Sequence, residues 1–192
     1  MSEVASFINY AVNVIQVTLG LFLFSMASIY LSSRWGAPWI ITTPHIIRRM
    51  LELGNLKTGE RIVDLGAGDG RILISAAKEY NAIGFGVEID PIRTILAKVF
   101  IRLKGVHKKV KVYWKNIFDI NLNNVDLITM YLTRDTNRLL RSFLEEKCDP
   151  GTRVVSFAFP VPGWSPLIID DTNLIFVYEV GHTEDDVIVE FV

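Results

Sequence analysis

Hydrophobic residues are concentrated at the start of the chain, where their pattern predicts a membrane-spanning helix. No Asp, Glu, Lys, Arg or His occurs from Val4 to Ser33, and the apolar run from Tyr10 to Leu31 exceeds the ~20 residues that a spanning helix needs. The residues before this run include Glu3 but no Lys or Arg, whereas a signal peptide begins with basic residues. We therefore expect residues 1–33 to be a membrane anchor, with a cleaved signal peptide and a buried soluble helix as the alternatives.

After the anchor, short apolar runs alternate with amphipathic stretches. Residues 34–60 predict a connecting segment with one short amphipathic helix. Thr43 would cap this helix, Pro44 suits its first turn and Gly54 its end. The strands predicted beyond it are Arg61–Leu65, Ala82–Ile89, Val110–Trp114, Val125–Tyr131 and Arg153–Phe159, and the predicted helices are Arg71–Glu79, Pro91–Lys104 and Asp135–Glu146.

This alternation predicts that residues 61–192 form one α/β domain, a doubly wound Rossmann-like sheet with helices on both faces. No internal repeat or Ser/Gly-rich linker divides this part of the chain. The last two apolar runs, Leu174–Val180 and Asp186–Val192, are separated by five polar or small residues. They predict an antiparallel hairpin at the carboxyl terminus.

The residues around the apolar run indicate its orientation and its contacts. Trp35 and Trp39 follow it, as aromatic side chains often do at a membrane interface. The apolar run is followed by four basic residues, Arg34, Arg48, Arg49 and Lys57, and no Lys or Arg precedes it. The positive-inside bias therefore predicts that the domain lies in the cytoplasm. Small and polar residues in the run and just before it share one helix face, which predicts self-association or contact with a membrane partner unless they are simply tolerated there. They are Ser6, Asn9, Asn13, Gln16 and Gly20.

The numbers of charged, cysteine and histidine residues indicate which kinds of ligand the chain can bind. Lys and Arg number 20 against 21 Asp and Glu, so the net charge of −1 gives no bulk attraction to nucleic acid. A local basic run around the third predicted strand is either a solvated sheet edge or a surface for an acidic partner or anionic lipid; it comprises His107, Lys108, Lys109, Lys111 and Lys115. Cys148 is the single cysteine and the three histidines are scattered, so we expect no bound metal.

Three glycines stand between the first predicted strand and its helix, where the chain has to turn tightly around a ligand. A dinucleotide fingerprint would need glycine at position 71, which is Arg71, and no Gly-Lys-Ser/Thr is present to hold phosphates. Asp64 would repel a pyrophosphate but suits the cationic amino-acid end of S-adenosyl-L-methionine. We therefore predict this cofactor, bound by Asp64, Gly66, Ala67, Gly68 and Gly70.

Four more residues fit the adenosine part of the cofactor. Glu88 ends the second predicted strand, and a carboxylate there can accept hydrogen bonds from both ribose hydroxyls. Ile89 follows it directly. Asn116 and Ile117, after the third strand, are expected to pair with the adenine edge and to pack on the ring. Each signal is weak alone, but their joint spacing predicts an adenosyl site.

With these motifs, the chain resembles the archaeal broad-specificity protein lysine methyltransferases and the mitochondrial enzymes that methylate a lysine of the ATP synthase c subunit. The similar segments are Thr43–Pro44, Val63–Arg71, Gly86–Glu88, Asp126–Thr133 and Arg153–Pro160. The resemblance implies a class I S-adenosylmethionine-dependent methyltransferase whose substrate is a protein lysine side chain. Two features depart from the pattern: Asn116, where many class I enzymes have Asp, and the anchor, which only some relatives have.

A lysine amine has to lose its proton before it can accept a methyl group. With a reference pKa of ~10.4, only about one in 2,500 amines is neutral at pH 7, a penalty of roughly 4.6 kcal/mol that an apolar channel would reduce. Tyr131, at the end of the fourth strand, and Thr133 beside it are the catalytic candidates. Phe157, Phe159 and Pro160 are the predicted channel wall, although strand alternation would turn one of the two phenylalanines toward the core.

Two other functions remain open. The anchor would also suit methylation of a membrane small molecule, such as a lipid headgroup or a quinone precursor, or an adaptor that binds the cofactor without catalysis. Residues 131–133 read Tyr-Leu-Thr where many nucleic-acid amino-methyltransferases have Asn/Asp-Pro-Pro-Tyr/Phe, so no nucleic-acid substrate is expected.

Overall fold

The chain divides into two compact units, the first of which is a single helix. The computed structural model describes residues 2–35, 41–182 and 190–191, and the units are Met1–Pro38 and Trp39–Val192. Helix α1 (Ser2–Trp35) contains the stretch Val4–Met26, whose mean hydropathy is 1.7 and of which 0% is buried. By length and composition this stretch can cross a membrane. The helix is therefore confirmed, while the span stays a prediction; Trp39, a predicted interface residue, lies outside the described residues.

The second unit is an α/β domain built on an eight-stranded sheet. Its helices are α2 (Pro44–Leu53), α3 (Arg71–Glu79), α4 (Pro91–Leu103) and α5 (Arg134–Lys147). Its strands are β1 (Arg61–Leu65), β2 (Ile83–Glu88), β3 (Val110–Trp114), β4 (Leu127–Met130), β5 (Arg153–Phe157), β6 (Ile168–Asp170), β7 (Ile175–Glu179) and β8 (Glu190–Phe191). The order in the sheet is β3-β2-β1-β4-β5-β7-β6-β8, with β1 to β5 parallel and β7 antiparallel to both of its neighbours. The doubly wound fold is confirmed.

The central strands are apolar because the sheet leaves them no solvated face. All four residues of β4 are buried, and so are four of the five residues of β1. Strands covered on both sides read as continuous apolar runs rather than alternating ones. This is why the sequence predicts them well, and why a polar residue in such a strand, as Asp64 is in β1, points to a role beyond packing.

The carboxyl-terminal hairpin is present, but its strands differ from those expected. The antiparallel hairpin is β6 with β7, and the Asp170 carboxylate closes its turn by accepting a hydrogen bond from the Asn173 N–H at 3.0 Å. The expected partner strand, Asp186–Val192, is described only at Glu190–Phe191, which pairs in parallel with β6; residues 186–189 and 192 lie outside the described residues. The pattern did not reveal β6 because it is three residues long and follows a proline-rich loop.

Helix α2 begins as predicted but ends for a different reason. Pro44 is its first residue, and Thr43 is the N-cap without a capping hydrogen bond from its side chain. Gly54 has a right-handed φ of −68°, and the left-handed residue is Asn55 at φ 48°. Glycine is needed at 54 for space, because a Cβ there would lie 2.8 Å from Val155 Cγ2. The end of α2 therefore packs directly on the sheet.

The loop after β1 lies against β2. The backbone N–H groups of Gly66 and Ala67 both donate to the Val87 carbonyl, at 3.0 and 2.9 Å. Gly86 allows this approach, because a Cβ there would lie 2.5 Å from Ala67 Cβ and 2.9 Å from Leu73 Cδ1. The absence of a side chain at Gly86 therefore lets the loop that follows β1 lie this close to β2.

We expect Gly86→Ala to lower the free energy of unfolding by ~1–3 kcal/mol, the usual cost of adding a methyl group to a filled site. Ala67→Gly in the same chain removes the closest of the new contacts, so the two changes should be non-additive and the double variant more stable than the sum of the single effects predicts. Thermal unfolding of the full-length chain in detergent, with the wild type and both single variants, measures this coupling. Simple additivity would show that the Ala67 methyl does not limit the approach.

Candidate functional site

The predicted site residues come together at the carboxyl edge of the parallel strands. Chain order reverses between β1 and β4, which lie side by side in the sheet although β2 and β3 come between them in sequence. Ligands of open α/β sheets bind at such a switch point. Strand pairing aligns Leu65 with Met130 and Met130 with Ser156, so the next residues, Gly66, Tyr131 and Phe157, lie at the same level of this edge, where Phe157 is the last residue of β5.

The three predicted glycines all adopt left-handed backbone conformations. Gly66 has φ 84°, Gly68 has φ 55° and Gly70, the N-cap of α3, has φ 79°. At Gly66 space is also limiting, since a Cβ would lie 2.9 Å from Leu132 Cδ2. The Gly68 N–H donates to Glu88 Oε2 at 2.9 Å. The loop is therefore shaped by backbone conformations that favour glycine and tied to the end of β2.

Asp64 carries a carboxyl group into the interior. Its side chain is buried, and Thr129 Oγ1 donates to Asp64 Oδ1 at 2.9 Å. Burial raises the pKa of Asp64 to about 7; the hydrogen bond from Thr129 opposes this shift, and the negative charges of Glu88 and Asp69 add to it. A cation bound beside these three acidic residues would relieve both the burial and the repulsion. This environment fits the cationic amino-acid end of the predicted cofactor.

Glu88 joins three parts of the site. Its Oε2 accepts the Gly68 N–H, and its Oε1 accepts the Asp90 N–H at 2.9 Å. Asp90 in turn caps α4, since its Oδ1 accepts the Ile92 N–H at 2.8 Å. A carboxylate oxygen can accept two hydrogen bonds, so this arrangement leaves acceptor capacity for the ribose hydroxyls. The predicted ribose contact fits the geometry and stays a prediction.

Arg71, which argued against a dinucleotide site, has a structural role that the sequence did not show. Its Nε donates to Asp69 Oδ1 at 2.8 Å, and its Nη1 donates to the Thr42 carbonyl at 3.0 Å. Both Asp69 and Thr42 are buried. Arg71 therefore holds the glycine loop against the residues that lead into α2.

The predicted adenine residues follow adjacent strands. Asn116 and Ile117 are half-buried after β3, and Asn116 Oδ1 accepts the Phe118 N–H at 3.1 Å, which leaves its amide NH₂ as the polar group for a ligand. Ile89 is half-buried after β2, and its carbonyl accepts the Trp114 indole N–H at 2.9 Å. Trp114 thus links the ends of the two strands. Its sequence position does not single it out, because its role depends on strand pairing.

The structure brings the main catalytic candidate and part of the predicted channel wall together. The rings of Tyr131 and Phe157 are 4.5 Å apart between centroids and inclined at 58°, and both side chains are half-buried. Beyond them strand alternation ends, because Ala158 has a left-handed φ of 66°. Phe159 and Pro160 are consequently both exposed. Phe157 packs partly on the core, and Phe159 is the phenylalanine that faces solvent.

Asn137 and Ser156 support this turn, and the sequence pattern does not predict their role. The Asn137 Nδ2 group donates to the Phe159 carbonyl at 2.9 Å and to Ser156 Oγ at 3.2 Å, and Ser156 Oγ donates to the same carbonyl at 2.6 Å. Both residues are fully buried. Within the described part of the chain, Asn137 Oδ1 has no hydrogen-bond partner. These contacts offset the backbone strain at Ala158 next to the candidate acceptor site.

Thr133 has a clear structural role. It is the N-cap of α5, and its Oγ1 accepts the Thr136 N–H at 3.3 Å and lies 2.8 Å from Thr136 Oγ1. The cap, two residues after Tyr131, fixes the start of α5 at Arg134. A direct catalytic role for Thr133 stays a prediction.

Comparison with known proteins identifies related sequences and folds. A family described as the ANTKMT methyltransferase domain matches residues 64–168. The chain is 35% identical over 153 residues to a protein-lysine N-methyltransferase of Saccharolobus islandicus, covering 75% of this chain and 94% of that protein. It is 28% identical over 149 residues to the adenine nucleotide translocase lysine N-methyltransferase of Mus musculus, covering 77% of this chain but only 65% of that protein.

A solved structure gives a similar result for the fold. The crystal structure of an RNA methyltransferase from Salinibacter ruber in complex with S-adenosyl-L-homocysteine superposes with a TM-score of 0.73 at 32% identity, covering 78% of this chain and 99% of that one. A methyltransferase from Thiobacillus denitrificans, also in complex with S-adenosyl-L-homocysteine, shares the fold with a TM-score of 0.54 at 22% identity. The expected S-adenosylmethionine cofactor is thereby confirmed.

The buried carboxyl of Asp64 predicts a pH-dependent stability. Because its pKa is raised from 3.8 to about 7 in the fold, Asp64 stabilises the cofactor-free protein most when protonated, and this contribution is lost as the pH rises from about 4 to about 7. Asp64→Asn keeps an oxygen that can accept the bond from Thr129 but carries no charge. At about pH 8 we expect the cofactor-free variant to be more stable than the wild type by roughly 2–4 kcal/mol, and to bind the cofactor at least about tenfold more weakly.

Thermal unfolding across this pH range and calorimetric titration with S-adenosylmethionine measure the two effects. Thr129→Val is the matched control: it removes the hydrogen bond but keeps the charge, so it should lower stability at high pH. An Asp64→Asn variant that is less stable than the wild type at about pH 8 would contradict this description of the site.

Proposed function

Since this chain belongs to the ANTKMT methyltransferase family and is an S-adenosylmethionine-dependent methyltransferase, we propose that it methylates lysine side chains of a protein at a membrane. The observation that carries the lysine substrate is the aromatic pair of Tyr131 and Phe157, which lies at the edge of the sheet at the level of Gly66 in the cofactor loop. The names of the relatives from Saccharolobus islandicus and Mus musculus support it.

In the proposed mechanism the protein works mainly by positioning. S-adenosylmethionine would supply the methyl group from its sulfonium sulfur: as a neutral amine attacks in line, the C–N bond forms, the C–S bond breaks and S-adenosylhomocysteine leaves. No covalent link to the protein is needed. Asp64 would hold the cationic amino-acid end and Glu88 the ribose, which would fix the depth at which the methyl group is presented. Neither residue takes part in proton transfer.

The acceptor side of the site has to make the lysine amine neutral. Tyr131 and Phe157 provide an aromatic surface, and Phe159 and Pro160 extend it toward solvent. Removing water from an ammonium group lowers its pKa, and this reduces the roughly 4.6 kcal/mol cost of deprotonation at pH 7. In this role Tyr131 would touch the amine, while Thr133 caps α5 and Asn137 and Ser156 hold the turn after Phe157.

The membrane part of the proposal rests on α1. The stretch Val4–Met26 is long and apolar enough to span a bilayer, and the basic residues on its carboxyl-terminal side favour a cytoplasmic domain. The helix face with Ser6, Asn13 and Gly20 would serve self-association or contact with a membrane protein. The tether would keep the site near lysines that lie at the membrane surface.

The substrate class is tested by incubating the full-length protein with methyl-labelled S-adenosylmethionine and membranes from cells that lack it. We expect the label in protein, and hydrolysis of that protein should release methylated lysine. Glu88→Ala, which weakens cofactor binding, is the inactive control. Because the Salinibacter ruber relative is called an RNA methyltransferase, RNA is added in a parallel reaction. Label confined to lipid or to RNA would overturn the proposal.

Tyr131 provides a second test. Tyr131→Ala removes the ring beside the amine, so we expect kcat to fall at least about tenfold and its pH profile to move to higher pH, with little change in cofactor affinity. Tyr131→Phe keeps the ring and should lose much less. Leu139→Ala, on the exposed side of α5, is the control for general effects of substitution. An unchanged pH profile in Tyr131→Ala would contradict the desolvation role.

A further inference from the structure

We propose that the outer face of α4 is a docking surface for a bilayer that contains anionic lipids. This α4 surface is defined by five exposed apolar side chains, Ile95, Leu96, Val99, Phe100 and Leu103. The inference rests on the proposed function and deepens it, because it describes how the catalytic domain would lie against the membrane that holds its substrate.

Helix α4 is apolar on two faces, although only one of them packs on its own domain. Its inner side buries Ala97 and Ile101 in the core. On its outer side, residues 95, 99 and 103 recur every four positions and are 61%, 47% and 75% exposed. A surface helix normally presents polar residues to water. An apolar stripe of this kind needs a partner.

The segment that carries the stripe and the strand after it has basic but no acidic residues. Residues 91–115 contain eight of the 20 Lys and Arg residues of the chain and none of its 21 Asp and Glu residues, so the rest of the chain is net acidic. Lys98 and Arg102 are exposed on α4 itself, and Lys104 and Lys108 are exposed just after it. An apolar helix face bordered by Lys and Arg is the usual composition of helices that lie in the plane of an anionic membrane surface.

An aromatic side chain extends the surface at one end of α4. Trp114 is 64% exposed, and its indole N–H bonds to the Ile89 carbonyl two residues before α4 begins. Tryptophan is favoured at the boundary between lipid headgroups and acyl chains because its ring is amphipathic. The exposed ring and the apolar stripe therefore suit the same environment.

The chemistry favours lipid over RNA or a soluble protein. RNA would be held through its phosphates and by stacking on aromatic rings, so Ile95, Val99 and Leu103 would contribute nothing to binding it. A soluble acidic partner would satisfy the charges, but only a bilayer matches the apolar stripe and the basic border together with the candidate span in α1. The chain between α1 and α2 is only eight residues long, residues 36–43. If α1 spans a bilayer, so short a connection would limit how far the domain can move from it.

Docking through α4 would also orient the site. Helix α4 starts at Pro91, directly after Asp90 and three residues after Glu88, at the carboxyl edge of the sheet where the cofactor residues lie. A membrane held against α4 would thus lie beside one edge of the site. Lysines near the headgroups would then be within reach without unfolding of the substrate.

The test places a fluorophore on α4 in the full-length chain. Leu103→Cys is labelled with a thiol-reactive dye, while the native Cys148 is buried and its thiol pKa is raised by burial to about 12, so it stays unlabelled. The protein is reconstituted into vesicles of brominated phosphatidylcholine, with or without about 30% phosphatidylglycerol. We expect quenching by the brominated chains to be at least about twofold greater in the anionic vesicles and to fall at high salt.

The control probe is Leu139→Cys on α5, which is similarly exposed at 66% but belongs to a helix with both acidic and basic residues. It should be quenched little in either lipid. Equal quenching at both positions, or none at position 103, would overturn the proposal. If added RNA reduced the quenching of the α4 probe, the surface would bind RNA and the proposal would be overturned. Energy transfer between α4 probes that depends on protein concentration would also overturn it, since the surface would then bind a second copy.

Two pairs of substitutions separate the apolar and charged parts. The double variant Ile95→Gln and Val99→Gln removes part of the stripe. The double variant Lys98→Gln and Arg102→Gln removes two positive charges. Each double variant should abolish the effect of anionic lipid on quenching without changing the melting temperature. Arg138→Gln on α5 is the matched control. Lysine methylation of detergent-solubilised membranes needs no bilayer, so it should persist in these variants. Loss of docking alone leaves that labelling intact, whereas failure of the proposed function leaves the quenching intact.

Discussion

The buried carboxylate of Asp64 at the end of β1 is the interaction on which the geometry of the site depends. One hydrogen bond from Thr129 stabilises it, while burial and the nearby charges of Glu88 and Asp69 oppose its ionisation. A protein optimised for stability alone would place an apolar residue here, as it does at the other buried positions of β1, Ile62, Val63 and Leu65. The cost is understandable if a cation completes the site, because the bound cofactor then replaces the solvent that Asp64 has lost.

Contacts between the strands and the loops that follow them hold both the cofactor side and the acceptor side of the site. Gly86 lets the glycine loop lie on β2, Glu88 holds that loop through the Gly68 N–H, and Arg71 ties it to the residues before α2. On the acceptor side, Asn137 and Ser156 hold the turn at Ala158 that ends β5. Both halves are therefore fixed by buried contacts of rigid elements, as catalysis by positioning requires.

Much of the fold follows from local pattern. The bounds of α3 and β3 agree with those predicted, because Gly70 directly precedes α3 and a lysine stands on each side of β3. The misses concern features that depend on distant residues. Strand β6 is too short to show a pattern, and Gly54 is small because Val155 packs against it rather than because a turn requires it. Asn137 looks like an ordinary polar residue of an amphipathic helix until β5 is placed beside it.

The cofactor site was predictable to a greater extent than the acceptor site. Glycines and acidic residues that occur together at strand ends are typical of a nucleotide-like ligand, whereas an aromatic residue at a strand end is as often part of the core. The pairing of Tyr131 with Phe157 and the left-handed Ala158 appear only in three dimensions. Exposed apolar residues on α4 likewise cannot be told from core residues by periodicity, since both faces of the helix are apolar.

The role of Asp64 can be measured by an NMR titration of its carboxyl carbon in the full-length protein, with the signal assigned through Asp64→Asn. In the cofactor-free protein we expect the pKa of Asp64 to be about 7, and saturating S-adenosylmethionine should lower it well below that value. An Asp64 carboxyl that titrates near its ordinary pKa of 3.8 without cofactor, or whose pKa is unchanged by the cofactor, would contradict the assignment of Asp64 as the buried partner of a bound cation.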